Sequence, residues 1–88
     1  MHLAFVHLAK RVGQARGTVA EVVAEVESQS ERETRTLEQA EYGDEFDEEL
    51  APIQEQVVGA LQETLERLDD ALRALDDAER TLQDVNRL

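Results

Sequence analysis

Two histidines are the residues with the best-defined potential chemistry in this 88-residue chain. His2 and His7 lie five positions apart, which places them on different faces of a helix, and no acidic residue precedes either one. A carboxylate-bridged metal site in a helical bundle uses Glu-x-x-His pairs, which these histidines cannot supply. We therefore predict no metal site and interpret both histidines as polar residues near a helix start.

Carboxylates are plentiful, but their order matches no catalytic or metal-binding pattern. The run DEFDEE at 44–49 lacks the alternating ligands and the central glycine of a calcium-binding loop. Cysteine is absent, and the serines and threonines lie in polar runs without a neighbouring histidine. None of the four glycines belongs to a phosphate-binding pattern. The sequence predicts a non-enzymatic protein with no cofactor and no small-molecule substrate.

The apolar residues of both halves follow helical spacing. They recur in steps of three and four, so that in a helix they form a narrow row that faces another helix. The second row is Leu61, Leu65, Leu68, Leu72, Leu75 and Leu82, and the first is Phe5, Leu8, Val12, Val19, Val22 and Val26. We predict that these rows are the contact surfaces between helices and toward a partner.

The segment EYGDEFDEELAP, residues 41–52, separates the two halves. Gly43 can end one helix, and Asp44 or Asp47 can cap the next. Pro52 either lies in the first turn of the second helix or kinks a helix that begins near Asp44.

These features predict an all-α fold, an antiparallel two-helix hairpin that resembles a coiled coil. We expect one domain, 1–88, with a first arm at about 2–41, an acidic turn at about 42–47 and a second arm at about 48–87.

A second row in the first arm consists of small residues that would allow close helix packing. It comprises Ala9, Gly13, Gly17, Ala20 and Ala24. We expect a continuous helix here, because close packing would offset the helix-weakening effect of the glycines. The alternative is that Gly17 ends a short helix and that Thr18 with Glu21 caps a new one.

The polar segment 27–36 interrupts the apolar row. Either the helix frays there, or Ser30, Thr34 and Leu37 continue its contact face, and we expect a locally weakened helix. Because adjacent residues such as Val22 and Val23 point about 100° apart, one neighbouring helix cannot cover both rows of the first arm. We therefore expect a four-helix bundle, formed by dimerisation or by docking on a partner.

Charge is distributed unevenly along the chain. The net charge is −12, with +3 in residues 1–20, −10 in 21–50 and −5 in 51–88. This distribution favours antiparallel pairing of the basic start with the acidic end, and it argues against nucleic-acid binding. One lysine beside eight arginines is typical of a GC-rich genome or a salt-loving, halophilic host.

Neither a membrane-spanning stretch nor a cleavable signal is evident in the sequence. No apolar run approaches the roughly 20 residues that cross a bilayer, and MHLAFVHLA lacks a preceding basic residue. We predict a cytoplasmic protein. Export by a route that needs no cleavable signal is the alternative. A surface-bound basic helix in residues 1–20 is the alternative we do not favour.

Two aromatic residues flank the acidic turn. Tyr42, Asp44, Phe46 and Asp47 form either a cap on the end of the hairpin or an acidic knob that docks on a basic partner.

The leading hypothesis is an interaction module, a homodimer or a small structural or adaptor subunit, whose partner is itself or another helical protein. One alternative is an acidic mimic of nucleic acid that inhibits a DNA-binding protein. The other is a small secreted or membrane-peripheral hairpin. In outline the chain resembles the Trp-x-Gly hairpins exported by type VII secretion, which pair as dimers. It has no tryptophan, its turn reads Tyr42-Gly43-Asp44, and its tail lacks the Tyr-x-x-x-acid signal, so the resemblance covers architecture alone.

Overall fold

The computed structural model describes residues 3–42 and 50–88, and nearly all of them lie in two helices. Helix α1 is Leu3–Tyr42 and helix α2 is Leu50–Asn86. The helices pack on each other through side chains from both, which confirms the predicted all-α helical hairpin. Among the residues described, neither helix is long and apolar enough to cross a bilayer.

Helix α1 is continuous through its glycines, as the sequence predicts. No glycine among the described residues adopts a positive φ, so neither Gly13 nor Gly17 ends the helix. The alternative of a break at Gly17 with a new cap at Thr18 is wrong. The Thr18 hydroxyl instead donates to the carbonyl of Gln14, one turn earlier in the same helix.

The polar segment 27–36 is helical throughout. Ser30 is buried, and Thr34 and Leu37 are half-buried, so small polar groups do continue the contact face of α1. One-turn side-chain bonds support this stretch, including one from Gln29 to Glu33 at 2.8 Å.

Helix α2 begins at Leu50, so Pro52 is its third residue. A proline in the first turn costs no intrahelical hydrogen bond, because the first four N–H groups of a helix have no partner within it. The other alternative, a helix that begins near Asp44, falls on residues outside the described ones. Gly43, Asp44 and Asp47, the predicted capping residues, lie outside the described residues.

The packing falls into two units. Unit 1 consists of residues 1–23 and 68–88, and unit 2 consists of residues 24–67. The core of unit 1 is formed by buried and half-buried side chains of both helices. Those from α1 are Phe5, Ala9, Val12, Arg16, Val19 and Val23, and those from α2 are Leu68, Leu72, Leu75, Glu79, Leu82 and Asn86.

The core of unit 2 is smaller and more polar. Its members from α1 are Val26, Ser30, Glu33 and Leu37, and those from α2 are Ala51, Gln54, Val58, Leu61 and Leu65. In both units the core residues alternate in steps of three and four along each helix. This is the spacing of two long helices that keep one side toward each other.

Candidate interaction surface

A charged layer crosses the core of unit 1. Arg16 takes a core position of α1, and its Nη1 lies 2.7 Å from Oδ1 of Asp76 and 3.2 Å from Oε2 of Glu79 on α2. Arg80 also reaches Asp76, at 2.8 Å. The Glu79 side chain is only 17% exposed, so its carboxylate depends on Arg16 for charge compensation.

A groove lies beside this layer. It has a volume of about 480 Å³, is open to solvent, and is lined by Val6, Gly13 and Gln83 among others. Gly13 faces the Glu79 carboxylate, because a Cβ added there would lie 3.2 Å from Glu79 Oε2. Oδ1 of Asn86, at one end of the groove, accepts no hydrogen bond from a described residue.

The contacts across unit 1 fix the register of its two helices. Gly13 is level with Glu79, and Arg16 is level with Asp76, so the helices run antiparallel. Because the helices are antiparallel, residue numbers increase along α1 while those of the facing α2 residues decrease. The same register therefore places Leu8 level with Val85.

The flank of unit 1 opposite the groove is apolar. Each of its α1 members precedes a core residue by one position and therefore points about 100° away from it. On both helices these residues repeat every seven positions, which keeps them on one side. We call the set Leu8, Ala15, Val22, Ala71, Ala78 and Val85 the apolar face.

The apolar face is incompletely covered by the chain itself. Leu8 is 47% exposed and Val22 is 40% exposed, and Ala15 and Ala78 are exposed between them. Ala71 and Val85 are half-buried. Unit 1 thus leaves a row of aliphatic side chains from each helix in contact with water.

The predicted contact row of α1 is split by the structure. Phe5, Val12, Val19 and Val26 point toward α2, whereas Leu8 and Val22 belong to the apolar face. Ala9 and Val23 occupy the core positions in their place, at 8% exposure each. All six predicted leucines of α2 are half-buried between the helices: Leu61, Leu65, Leu68, Leu72, Leu75 and Leu82.

The predicted row of small residues packs closely at only two positions. Ala9 is buried and Gly13 faces Glu79. Gly17, Ala20 and Ala24 are exposed, and a Cβ on Gly17 would meet nothing within 4 Å. The members of this row are not spaced like the core residues, so their direction shifts around the helix from one member to the next. From Gly17 onward they therefore no longer point toward α2.

Unit 2 contains a second polar layer, which the sequence analysis did not identify. Gln54 is 7% exposed, and its Nε2 donates to the Glu33 carbonyl oxygen at 2.9 Å and to the Glu33 carboxylate. Hydrogen bonds from Gln54 and from Gln29 lower the pKa of Glu33, and partial desolvation opposes them. A signal was present, because Gln54 falls on the three-and-four spacing of the α2 row extended toward its start.

The two units differ in net charge. Unit 1 carries six basic and seven acidic residues, a net −1, whereas unit 2 carries three basic and fourteen acidic residues, a net −11. On one flank of unit 2, exposed glutamates line both helices. They are Glu27, Glu31 and Glu38 on α1, and Glu55 and Glu66 on α2.

Several predicted functional residues are not placed by the structure. The side chains of the acidic knob, Tyr42, Asp44, Phe46 and Asp47, lie outside the described residues, as does His2. His7 is exposed. No group of three or more His, Asp or Glu residues among 3–39 and 51–88 is arranged to hold a metal ion.

Comparison with protein-family models finds no match to this chain, and comparisons with curated proteins and with solved structures find none either.

Proposed function

We propose that this chain is a non-enzymatic helical interaction module, a homodimer or a small structural or adaptor subunit of a larger assembly. The observation that carries the proposal is the apolar face of unit 1. Leu8 and Val22 keep 47% and 40% of their surface exposed on the same side as the α2 residues Ala78 and Val85. A continuous aliphatic face on a small helical protein is a typical contact site for another helix.

Burying this face supplies the stability that two helices alone lack. Small chains bury a limited fraction of their surface, and none of the described side chains with large volume is fully buried. Covering a Leu or Val side chain contributes roughly 1.5–3 kcal/mol when burial is complete, and about half of that for a side chain already half-covered. A companion helix at the apolar face therefore stabilises the hairpin.

The test is to make the apolar face polar while the core stays intact. We expect the Leu8→Gln/Val22→Gln variant to keep its helix content and to lose concentration-dependent association in sedimentation equilibrium. Its unfolding midpoint should cease to rise with protein concentration. The matched control is Leu3→Gln/Val6→Gln, which places the same changes at exposed positions on the other flank of α1.

A subunit of a hetero-assembly would be monomeric when isolated but would bind an apolar dye such as anilinonaphthalene sulfonate at this face. Dye fluorescence that the Leu8→Gln/Val22→Gln variant loses, and the control keeps, supports that form of the proposal. A monomer that binds no dye and unfolds at the same midpoint in both variants would overturn it.

A second candidate function is that of an acidic mimic of nucleic acid. The two rows of exposed glutamates on one flank of unit 2, within a net charge of −11, support it, because ordered carboxylates can occupy a phosphate-binding groove.

The second candidate is tested by displacement of a fluorescent DNA duplex from basic DNA-binding proteins. Displacement that falls in the Glu27→Gln/Glu31→Gln variant, but not in the charge-matched Glu25→Gln/Glu63→Gln variant, would support mimicry. Equal displacement by both variants, or none by the wild type, would exclude it.

A further inference from the structure

One charged group beside the apolar face has no partner among the residues that the structure describes. Arg11 lies at its edge on α1 and makes no hydrogen bond or ion pair with any residue that the structure describes. Arg16, by contrast, is already engaged by Asp76 and Glu79.

We propose that a second copy of this chain covers the apolar face, with α1 of each copy packed against α2 of the other. The inference rests on the interaction module proposed above and specifies its partner and its orientation. A two-fold axis parallel to the helices generates this arrangement, and each apolar face then meets its own equivalent.

Charge complementarity selects both the unit and the orientation. Arg16, Asp76 and Glu79 already pair within one hairpin. Of the other charges of unit 1, the α1 part carries two basic residues and one acid, a net +1, whereas the α2 part carries four acids and three arginines, a net −1. Packing α1 on α1 would bring two positive surfaces together, and packing α2 on α2 would bring two negative ones together. Packing α1 on α2 pairs opposite charges on both sides of the axis. Unit 1, with a net charge of −1, also repels its copy far less than unit 2 would.

Side-chain size agrees with the same arrangement. With the register fixed by Gly13 and Glu79, Leu8 lies level with Val85 of the second copy, and Ala15 lies level with Ala78 of the second copy. Val22 lies level with Ala71, so a larger side chain on α1 meets a smaller one on α2. Small residues at the centre let the helices approach closely.

Disulfide cross-linking tests the orientation directly, because the chain contains no cysteine of its own. Ala15→Cys and Ala78→Cys are made as separate proteins, since the two positions are level within one hairpin and would bridge internally if combined. Mixed under mild oxidation, they should give a disulfide-linked heterodimer, and each alone should give little. Efficient linkage of Ala15→Cys to itself would instead show α1 against α1 and overturn the orientation.

The outcomes separate this inference from the function on which it rests. If the dimer depends on Leu8 and Val22 but Ala15→Cys cross-links to itself, only the proposed orientation is wrong. If the protein is a monomer that still binds dye at the apolar face, the second copy is not the partner but the adaptor role stands. If the protein is a monomer that binds no dye, both the dimer and the interaction module are contradicted.

Discussion

Arg16 of α1 and Glu79 of α2 occupy facing core positions of the same helix pair, with Nη1 of Arg16 3.2 Å from Oε2 of Glu79. Every neighbouring core position in unit 1 along α1, from Phe5 to Val23, is filled by an apolar residue. A charged pair in such a row fixes the register, because sliding either helix by one turn would leave each charge against hydrocarbon.

Removing only one charge of this pair should destabilise the hairpin. We expect Arg16→Leu to lower the free energy of unfolding by about 1–2 kcal/mol, less than for a fully buried pair because the Arg16 side chain is 40% exposed. Urea denaturation provides the measurement. The Arg16→Leu/Glu79→Leu double variant should recover most of the loss, since it leaves no unpaired charge. Arg73→Leu is the control, because Arg73 is 81% exposed and should change stability by under about 0.5 kcal/mol.

The glycines of α1 should respond unequally to alanine. Gly17→Ala should raise the free energy of unfolding by about 0.5–1 kcal/mol, because the new Cβ meets nothing within 4 Å and alanine favours helix. Gly59→Ala in α2, where the space is also open, is the matched comparison.

Gly13→Ala should gain less than either, because its Cβ would press on the Glu79 carboxylate at 3.2 Å and displace it from Arg16. Thermal unfolding of the three variants ranks them. A gain at Gly13 equal to that at Gly17 would show that Glu79 moves away at no cost.

The hydrogen bonds to Glu33 predict a specific pH dependence. Because they lower the pKa of Glu33 in the folded state, their contribution to stability is present above the ordinary glutamate pKa, about 4.5. It is lost as the pH falls through the lowered value. The stability difference between wild type and Gln54→Met should therefore be constant near neutral pH and shift against the wild type in acid. In Gln62→Met, which alters an exposed glutamine of the same helix, the difference should not vary with pH.

The leucine row of α2 should be indispensable for folding. Leu68→Asp/Leu72→Asp is expected to abolish the helical signal in far-ultraviolet circular dichroism, because each half-buried leucine contributes about half of the roughly 1.5–3 kcal/mol of a fully buried one and a charge at that site has no partner. Leu3→Asp, at a residue that is 72% exposed, is the control and should stay folded. Retained helix in the double variant would mean that the α2 row carries little of the stability.

The helices and the α2 contact row could be predicted from the sequence alone. Leucines from Leu61 to Leu82 recur at one helical spacing, and no other side of α2 carries a row of large apolar residues, so this side was expected to face α1. The continuity of α1 was predictable for a similar reason, since no proline interrupts it. The polar pair of Gln54 and Glu33 was not predicted. The spacing of the α2 row places Gln54 on the contact side, but that spacing does not identify Glu33 as its partner.

The tertiary structure alone decided which side of α1 faces α2. In the sequence, the rows that begin at Leu8 and at Ala9 are adjacent and both largely apolar, so hydrophobic spacing does not distinguish them. The structure turns Ala9 and Val23 inward and leaves Leu8 and Val22 at the surface. The physical reason is Arg16, which shares the inner row and finds Asp76 and Glu79 across the interface. The partner Asp76 lies 60 residues from Arg16 in the sequence, and this contact fixes the rotation of α1. A local sequence pattern therefore could not predict which side of α1 faces α2.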